Sequence, residues 1–240
     1  MDETIGGRFR VEREIATGGM GRVVLAHDTR GGPPVAVKHV LPHLLGTDAE
    51  RRFERECRAA RLVRSSHVPH ALAIGSDDRV GRFLAMEYVA GETLHDWVRT
   101  RGAFDAASMV RIARDLLQAL RDIRRAGVVH RDVKPANVLL PTAFEGTSSV
   151  ERARLIDFGI CRFLGEANVG LAEGESITTP GRPVGTLRMM APEQLIGAGS
   201  AEARTATDVY GWGMVMFVAG SGRRPFADAA SAKELVAAVL

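Results

Sequence analysis

The segment VVHRDVKPANVLL, residues 128–140, restricts what this chain can be more than any other stretch. Apolar runs that read as short strands bracket a charged centre. Asp132 can accept a proton from a hydroxyl nucleophile. Lys134, two residues on, is placed to neutralise charge on a phosphoryl group in flight. Asn137 offers a neutral oxygen ligand to a hard cation. Together they point to a nucleotide role.

Three further segments carry chemistry of the same kind. LIDFGI, residues 155–160, sets Asp157 among apolar residues, which makes sense if a divalent metal neutralises it. VAVK, residues 35–38, is a β-branched strand ending on Lys38, whose buried ammonium is costly without an anionic partner. Glu56 shares a helical face with Ala60 and Val63 and needs a partner too. A Lys38–Glu56 ion pair satisfies both; two unrelated surface charges are the alternative. IATGGMGRVVLA, residues 15–26, places glycines at 18, 19 and 21 between strand-like runs, so that backbone N–H groups can approach phosphate oxygens. Such a hairpin also serves as an ordinary tight turn.

Residues 8–40 alternate apolar and polar, with glycine breaks at 18–21 and 31–32, as strands and hairpins do. Residues 48–64 switch to helical spacing, with Phe53, Cys57, Ala60 and Val63 on one stripe. Strands return at 71–75 and 82–88, and from Thr93 the pattern is mostly helical. Residues 105–126 carry Met109, Ile112, Leu116, Leu120 and Ile123 on one face, with Asp105 as N-cap and Gly127 as stop. A β-rich part thus precedes a helix-rich part, and 240 residues suffice for one large domain or two lobes sharing an interface. Residues 164–183 read as a long exposed loop.

The net charge of +3 is spread out. The densest arginine group, at 51, 52, 55, 58, 61 and 64, is interleaved with Glu50, Glu54 and Glu56 and reads as a solvated helix face, not a nucleic-acid patch. Cys57 and Cys161 lack metal-ligand spacing and read as small buried hydrophobes. No signal peptide and no membrane-length apolar run is visible in the sequence. Lys38, Lys134 and Lys233 are the only lysines among 32 basic residues, and two of them sit in the motifs above.

Taken in order with VGTLRMMAPE (184–193) and TDVYGWG (207–213), these motifs resemble the protein-kinase signature set from about residue 8 to the end. GGMG and MEYVAGETL resemble the eukaryotic-type Ser/Thr kinases of bacteria. The resemblance implies an α+β two-lobed fold, a β-rich N-lobe over 8–88 and a helical C-lobe over 89–240, incomplete after about its G helix. It implies an ATP loop formed by Ile15, Ala16, Thr17, Gly18, Gly19, Met20, Gly21, Arg22 and Val23, with Gly18 and Gly21 over the phosphates. Lys38 holds the α- and β-phosphates and pairs with Glu56. Asp157 and Asn137 bind Mg²⁺ (or Mn²⁺), Asp132 is the catalytic base, and Lys134 steadies the γ-phosphate. Met86 resembles the gatekeeper. The backbone of Glu87 and Val89 hydrogen-bonds adenine, and Val23, Ala36 and Leu139 sandwich it. His130 and Phe158 stack into a spine coupling the lobes. Lys134 marks the Ser/Thr class, Thr186 helps define the acceptor site, and Ala191-Pro192-Glu193 favours a protein substrate.

Departures accompany the resemblance. Ala16 replaces the loop's first glycine, Leu187 and Met189 replace the usual proline and aromatic beside the acceptor site, and the connection from Leu140 to Leu155 is long. An arginine that pairs with the glutamate matching Glu193 has no counterpart, and GMVMFVAG is expected to lose part of its cover, making the chain less stable than a complete domain. The expectation is a cytoplasmic Ser/Thr protein kinase acting on protein substrates and on itself in trans, autophosphorylated at Thr178 or Thr179 near Arg131; no nucleic acid is expected as a partner, and a membrane tether, if any, lies outside this chain. The alternatives are a catalytically weak pseudokinase or nucleotide-binding scaffold, and a small-molecule kinase.

Overall fold

Alternating residues from Phe9 onward build an antiparallel hairpin series. The computed structural model describes residues 3–19, 21–142, 152–158, 161–163, 187–195 and 205–240. Strands β2 (Phe9–Thr17), β3 (Gly21–Asp28) and β4 (Val35–Val40) pair in sequence, with Val24 opposite Val37. Strand β6 (Gly81–Glu87) joins β4, and β5 (Ala71–Asp77) forms the far edge. The other edge is β1 (Thr4–Ile5), giving a six-stranded sheet of order β1-β2-β3-β4-β6-β5. The polar N-terminus gives no sequence sign of β1. The strand exists because Gly6 and Gly7, at φ 58° and 61°, turn the chain back and bury Ile5 beside Phe9. The Gly6 N–H donates to Asp77 at 2.8 Å.

Helix α1 (Asp48–Leu62) starts where Thr47 Oγ1 accepts from the Ala49 N–H, with Asp48 and Glu50 complementing the helix dipole. It buries Phe53, Cys57 and Ala60, together with Glu56, and packs along β4 and β5.

Beyond β6 the chain becomes mostly helical. Short strand β7 (Gly91–Thr93) leads into α2 (Leu94–Arg101), capped by Thr93 Oγ1. Helix α3 (Ala106–Arg125) is capped by Asp105, which accepts from the Ser108 N–H at 2.7 Å, and is followed by Gly127 at φ 74°. Its Ile112, Leu116, Leu120 and Ile123 are buried and Met109 is partly so, as the periodicity requires. Strand β8 (Val128–Val129) pairs with β11 (Arg162–Phe163), and β9 (Val138–Pro141) pairs with β7 and β10 (Arg154–Leu155). Helices α4 (Pro192–Leu195), α5 (Thr205–Ser221) and α6 (Ala232–Val239) follow.

Helix α5 lies on α3, with the Trp212 indole N–H donating to the Ala113 carbonyl at 3.3 Å. It also presses on the loop after β8: a Cβ on Gly211 would stand 2.7 Å from the Val133 oxygen, so only glycine fits. One apolar cluster runs from Phe53 and Leu84 of the first part to Leu116 and Val215 of the second. Burial of one such leucine contributes about 1.5–3 kcal/mol. On α5, Val209 and Phe217 remain about half exposed. Among the described residues no helix is long and apolar enough to cross a membrane.

Candidate active site

Strand β4 and helix α1 carry the first pair. The Lys38 ammonium is 2.7 Å from Glu56 Oε1 and 2.7 Å from Asp157 Oδ1. Burial alone favours discharging Lys38, but the two carboxylates outweigh it and hold its pKa above the ordinary lysine value. Burial pushes Glu56 up to about 7; Asp157 adds to the rise and Lys38 opposes it. One ammonium between two carboxylates leaves excess negative charge, a setting that a cation would neutralise.

Asp157 reaches this pair through a constrained backbone. Its φ is 69°, left-handed for a non-glycine residue. The Ile156 N–H donates to the Asn137 carbonyl at 2.9 Å, and the Phe158 ring lies 5.2 Å from that of His130. These contacts on either side set the turn.

The loop between β8 and β9 is similarly fixed. His130 Nδ1 accepts from the Asp132 N–H at 3.2 Å, so the proton is on Nε2, which donates to the Ile156 carbonyl at 3.2 Å. Arg131 has φ 66°. The N–H groups of His130 and Arg131 both donate to the Asp208 carboxylate, at 2.9 and 2.7 Å. Burial raises the Asp208 pKa, with His130 and those N–H groups opposing the rise. Asp132 Oδ2 accepts from Lys134 Nζ at 2.7 Å and from the Asn137 amide at 2.9 Å. That amide also donates to the Asp132 carbonyl at 2.8 Å, so the Asn137 nitrogen faces Asp132 and its oxygen faces away. Asp157 and Asn137 both carry hard oxygens, the kind magnesium takes alongside substrate phosphates, and their segments are joined by the Ile156–Asn137 backbone bond.

The glycine hairpin divides its labour. The Gly18 N–H donates to the Gly21 carbonyl at 2.9 Å. A Cβ on Gly18 or Gly19 meets nothing within 4 Å, whereas one on Gly21 would lie 2.7 Å from the His39 oxygen. Glycine 21 is therefore dictated by the approach of β3 to β4, while 18 and 19 leave open space. Ile15, Ala16 and Thr17 face this hairpin from β2, with Ala16 opposite Val23 and Thr17 opposite Arg22. Thr17 and Arg22 both bond to Glu14, each at 2.7 Å. Ala36 pairs with Met86. The Glu87 N–H donates to the His70 carbonyl at 2.9 Å and so is not open to a ligand. Its carboxylate takes Arg154 at 3.3 Å. Val89 is half-buried in the connection to β7, and Leu139 lies opposite Thr93 and Arg154. Met20 and Thr186, and Ser176, Thr178 and Thr179 with them, lie outside the described residues.

On the far side, residues 187–195 are bonded to their surroundings. Glu193 accepts from the Thr207 hydroxyl at 2.5 Å. The Gln194 amide donates to the Arg131 carbonyl at 3.0 Å. The sequence reading gave no role to Asp208, Thr207 or Gln194. Asp208 had a signal, a lone acid opening the apolar run of TDVYGWG; the other two had none.

A β-sheet part with a Lys–Glu–Asp triad, joined to a helical part with an Asp–Lys–Asn loop, defines the architecture of a protein kinase. A sequence profile of the family described as Protein kinase domain matches residues 9–239, and the chain belongs to that family. It is 36% identical over 231 residues to the serine/threonine-protein kinase PknA of Mycobacterium tuberculosis, covering 93% of this chain and 49% of that protein. It is 37% identical over 223 residues to the serine/threonine-protein kinase pkn2 of Myxococcus xanthus, covering 92% and 25%. The probable serine/threonine-protein kinase PkwA of Thermomonospora curvata is 35% identical over 222 residues, covering 92% and 27%. The chain thus spans half or less of each of these relatives.

Proposed function

We propose that this chain transfers the γ-phosphoryl group of ATP to serine and threonine hydroxyls of proteins. The observation that carries the reading is Asp132, held by Lys134 and Asn137, on a loop bonded to the strand that delivers Asp157 to Lys38 and Glu56. Asp132 is the base that takes the acceptor's hydroxyl proton. Lys134 lies beside it, and a phosphoryl group in transit would gain its charge. Lys38 binds the α- and β-phosphates, and Glu56 fixes its ammonium. The open space over Gly18 and Gly19 admits phosphate to the backbone, and Val23, Ala36 and Leu139 enclose the base. Asp157 and Asn137 would hold Mg²⁺ or Mn²⁺, which when bound neutralises phosphate charge.

The relatives named as serine/threonine kinases support the acceptor class, as does Lys134 in HRDVKPAN. We place the lobes at 8–88 and 89–240 and the reaction in the cytoplasm, where ATP is supplied. Protein substrates and a second copy of the chain are its partners, with Thr178 or Thr179 the self-phosphorylated sites and Arg131 the anchor for the added phosphate.

Radiolabel transfer from ATP to a generic protein substrate tests this. Asp132→Asn should lower the rate by roughly 10²–10⁴, the range for loss of a general base, with nucleotide binding retained. Equal transfer by both proteins would sink the mechanism. Nucleotide binding without transfer by the unaltered chain would favour the scaffold reading.

A further inference from the structure

Residues 187–195 are strung between two anchors. Gln194 ties them to the catalytic loop through the Arg131 carbonyl. At the other end Arg188 reaches the turn between α5 and α6. Its Nη1 donates to the carbonyls of Pro225, at 3.3 Å, and Phe226, and its Nη2 donates to that of Ala229 at 2.7 Å. Three carbonyls aimed at one point gather negative partial charge, and a planar guanidinium is the side chain that can answer all of them. Phe226 sits at φ 50°, a non-glycine residue in the left-handed region, so the turn is held where it would not rest by itself. Beneath it Leu187, Leu195, Ala229 and Leu235 form their own small core, separate from the main one. Among the described residues every hydrogen bond of the Arg188 side chain goes to this turn, and none to Lys38, Glu56, Asp132, Asn137 or Asp157.

We propose that Arg188 is a positioning residue for the protein acceptor. It clamps the 225–229 turn to residues 187–195 and so shapes the surface on which the acceptor polypeptide lies, without acting on ATP. The proposal rests on the kinase reading above. Lysine cannot replace it fully, because a single ammonium on a flexible stem does not span the same carbonyls.

The test uses the 240-residue chain with Arg188→Met and Arg188→Lys, a protein acceptor and Mg-ATP. Arg188→Met should raise the acceptor KM about tenfold, leaving kcat and the ATP KM within about twofold. Arg188→Lys should fall between. Hydrogen exchange at the Ala229 amide, whose bond to Phe226 O closes the same turn, should quicken in Arg188→Met. An unchanged acceptor KM, or an ATP KM rising in step with it, overturns the proposal. Thermal midpoints separate this from mere misfolding: a large drop with unaltered KM values for the remaining active enzyme also counts against it. If the unaltered chain transfers no phosphate, the kinase reading has failed by itself. The exchange readout then still decides whether the clamp exists, and an unchanged rate at Ala229 dismisses it.

Discussion

The proposed nucleotide side and the proposed acceptor side of this domain are held by different kinds of bond. On the nucleotide side, charged side chains meet charged side chains across great sequence distance: Lys38 binds Glu56, 18 residues away, and Asp157, 119 away. On the acceptor side, side chains mostly meet backbone: Arg188 takes three carbonyls, Gln194 one, and Asp208 two N–H groups. The difference decides what fails when a residue is lost. A buried ion pair that loses one member leaves a charge in need of a new partner. A backbone clamp that opens lets a turn or loop relax.

The contrast can be broken by experiment. The largest effect belongs to Asp208→Ala, which leaves two inward-facing N–H groups of the catalytic loop without an acceptor. At about 1–3 kcal/mol for each such group, roughly 2–6 kcal/mol of stability should be lost, read as a lower urea midpoint. Asp208→Asn, keeping one acceptor oxygen, should lose less. An Asp208→Ala protein as stable as the parent would show that the backbone clamps are incidental.

Glu56→Gln probes the charged side. Glu56 has a folded pKa of about 7 against 4.5 for the free group, so the folded state binds the proton more tightly. Its contribution to stability is complete below pH 4.5 and is lost as pH rises through 7. That decline should vanish in Glu56→Gln, as urea unfolding at pH 5 and pH 8 will show. Catalytic efficiency toward ATP should also fall about tenfold or more, because Lys38 loses a charge-assisted bond worth roughly 1.5–3 kcal/mol. Retention of the pH slope would mean that Glu56 is not its source.

Thr207→Val should have the smallest effect. It removes the hydroxyl that binds Glu193, and the half-buried carboxylate can turn to water instead. About 1 kcal/mol of stability should go, with a few degrees off the thermal midpoint. A loss comparable to that of Asp208→Ala would make Glu193 a principal support of the acceptor side.

Legibility followed the same divide. Lys38, Glu56, Asp132, Asn137 and Asp157 stood out in the sequence because buried charge and hydroxyl chemistry demand particular residue types. Helices α1 and α3 were legible from periodicity, and the start of α3 from its cap Asp105, whereas the Thr47 cap of α1 came only from the structure. Strand β1 was not, because two residues carry no period. Arg188 and Gln194 were not, because any residue supplies a carbonyl and a sequence does not say which one will arrive. Gly21 was read as a phosphate contact, yet it is also dictated by the His39 carbonyl across the hairpin.

The VVHRDVKPANVLL segment, with the lysine, glutamate and aspartate that must answer its chemistry, was determined by sequence alone. Charge in an apolar setting is costly, and few residue types perform phosphoryl transfer. Tertiary structure alone decided how the catalytic loop and the acceptor segment are held, through left-handed turns at Arg131, Asp157 and Phe226 and bonds to backbone atoms. Every residue carries the same backbone groups, so only the folded chain selects which carbonyl meets which side chain.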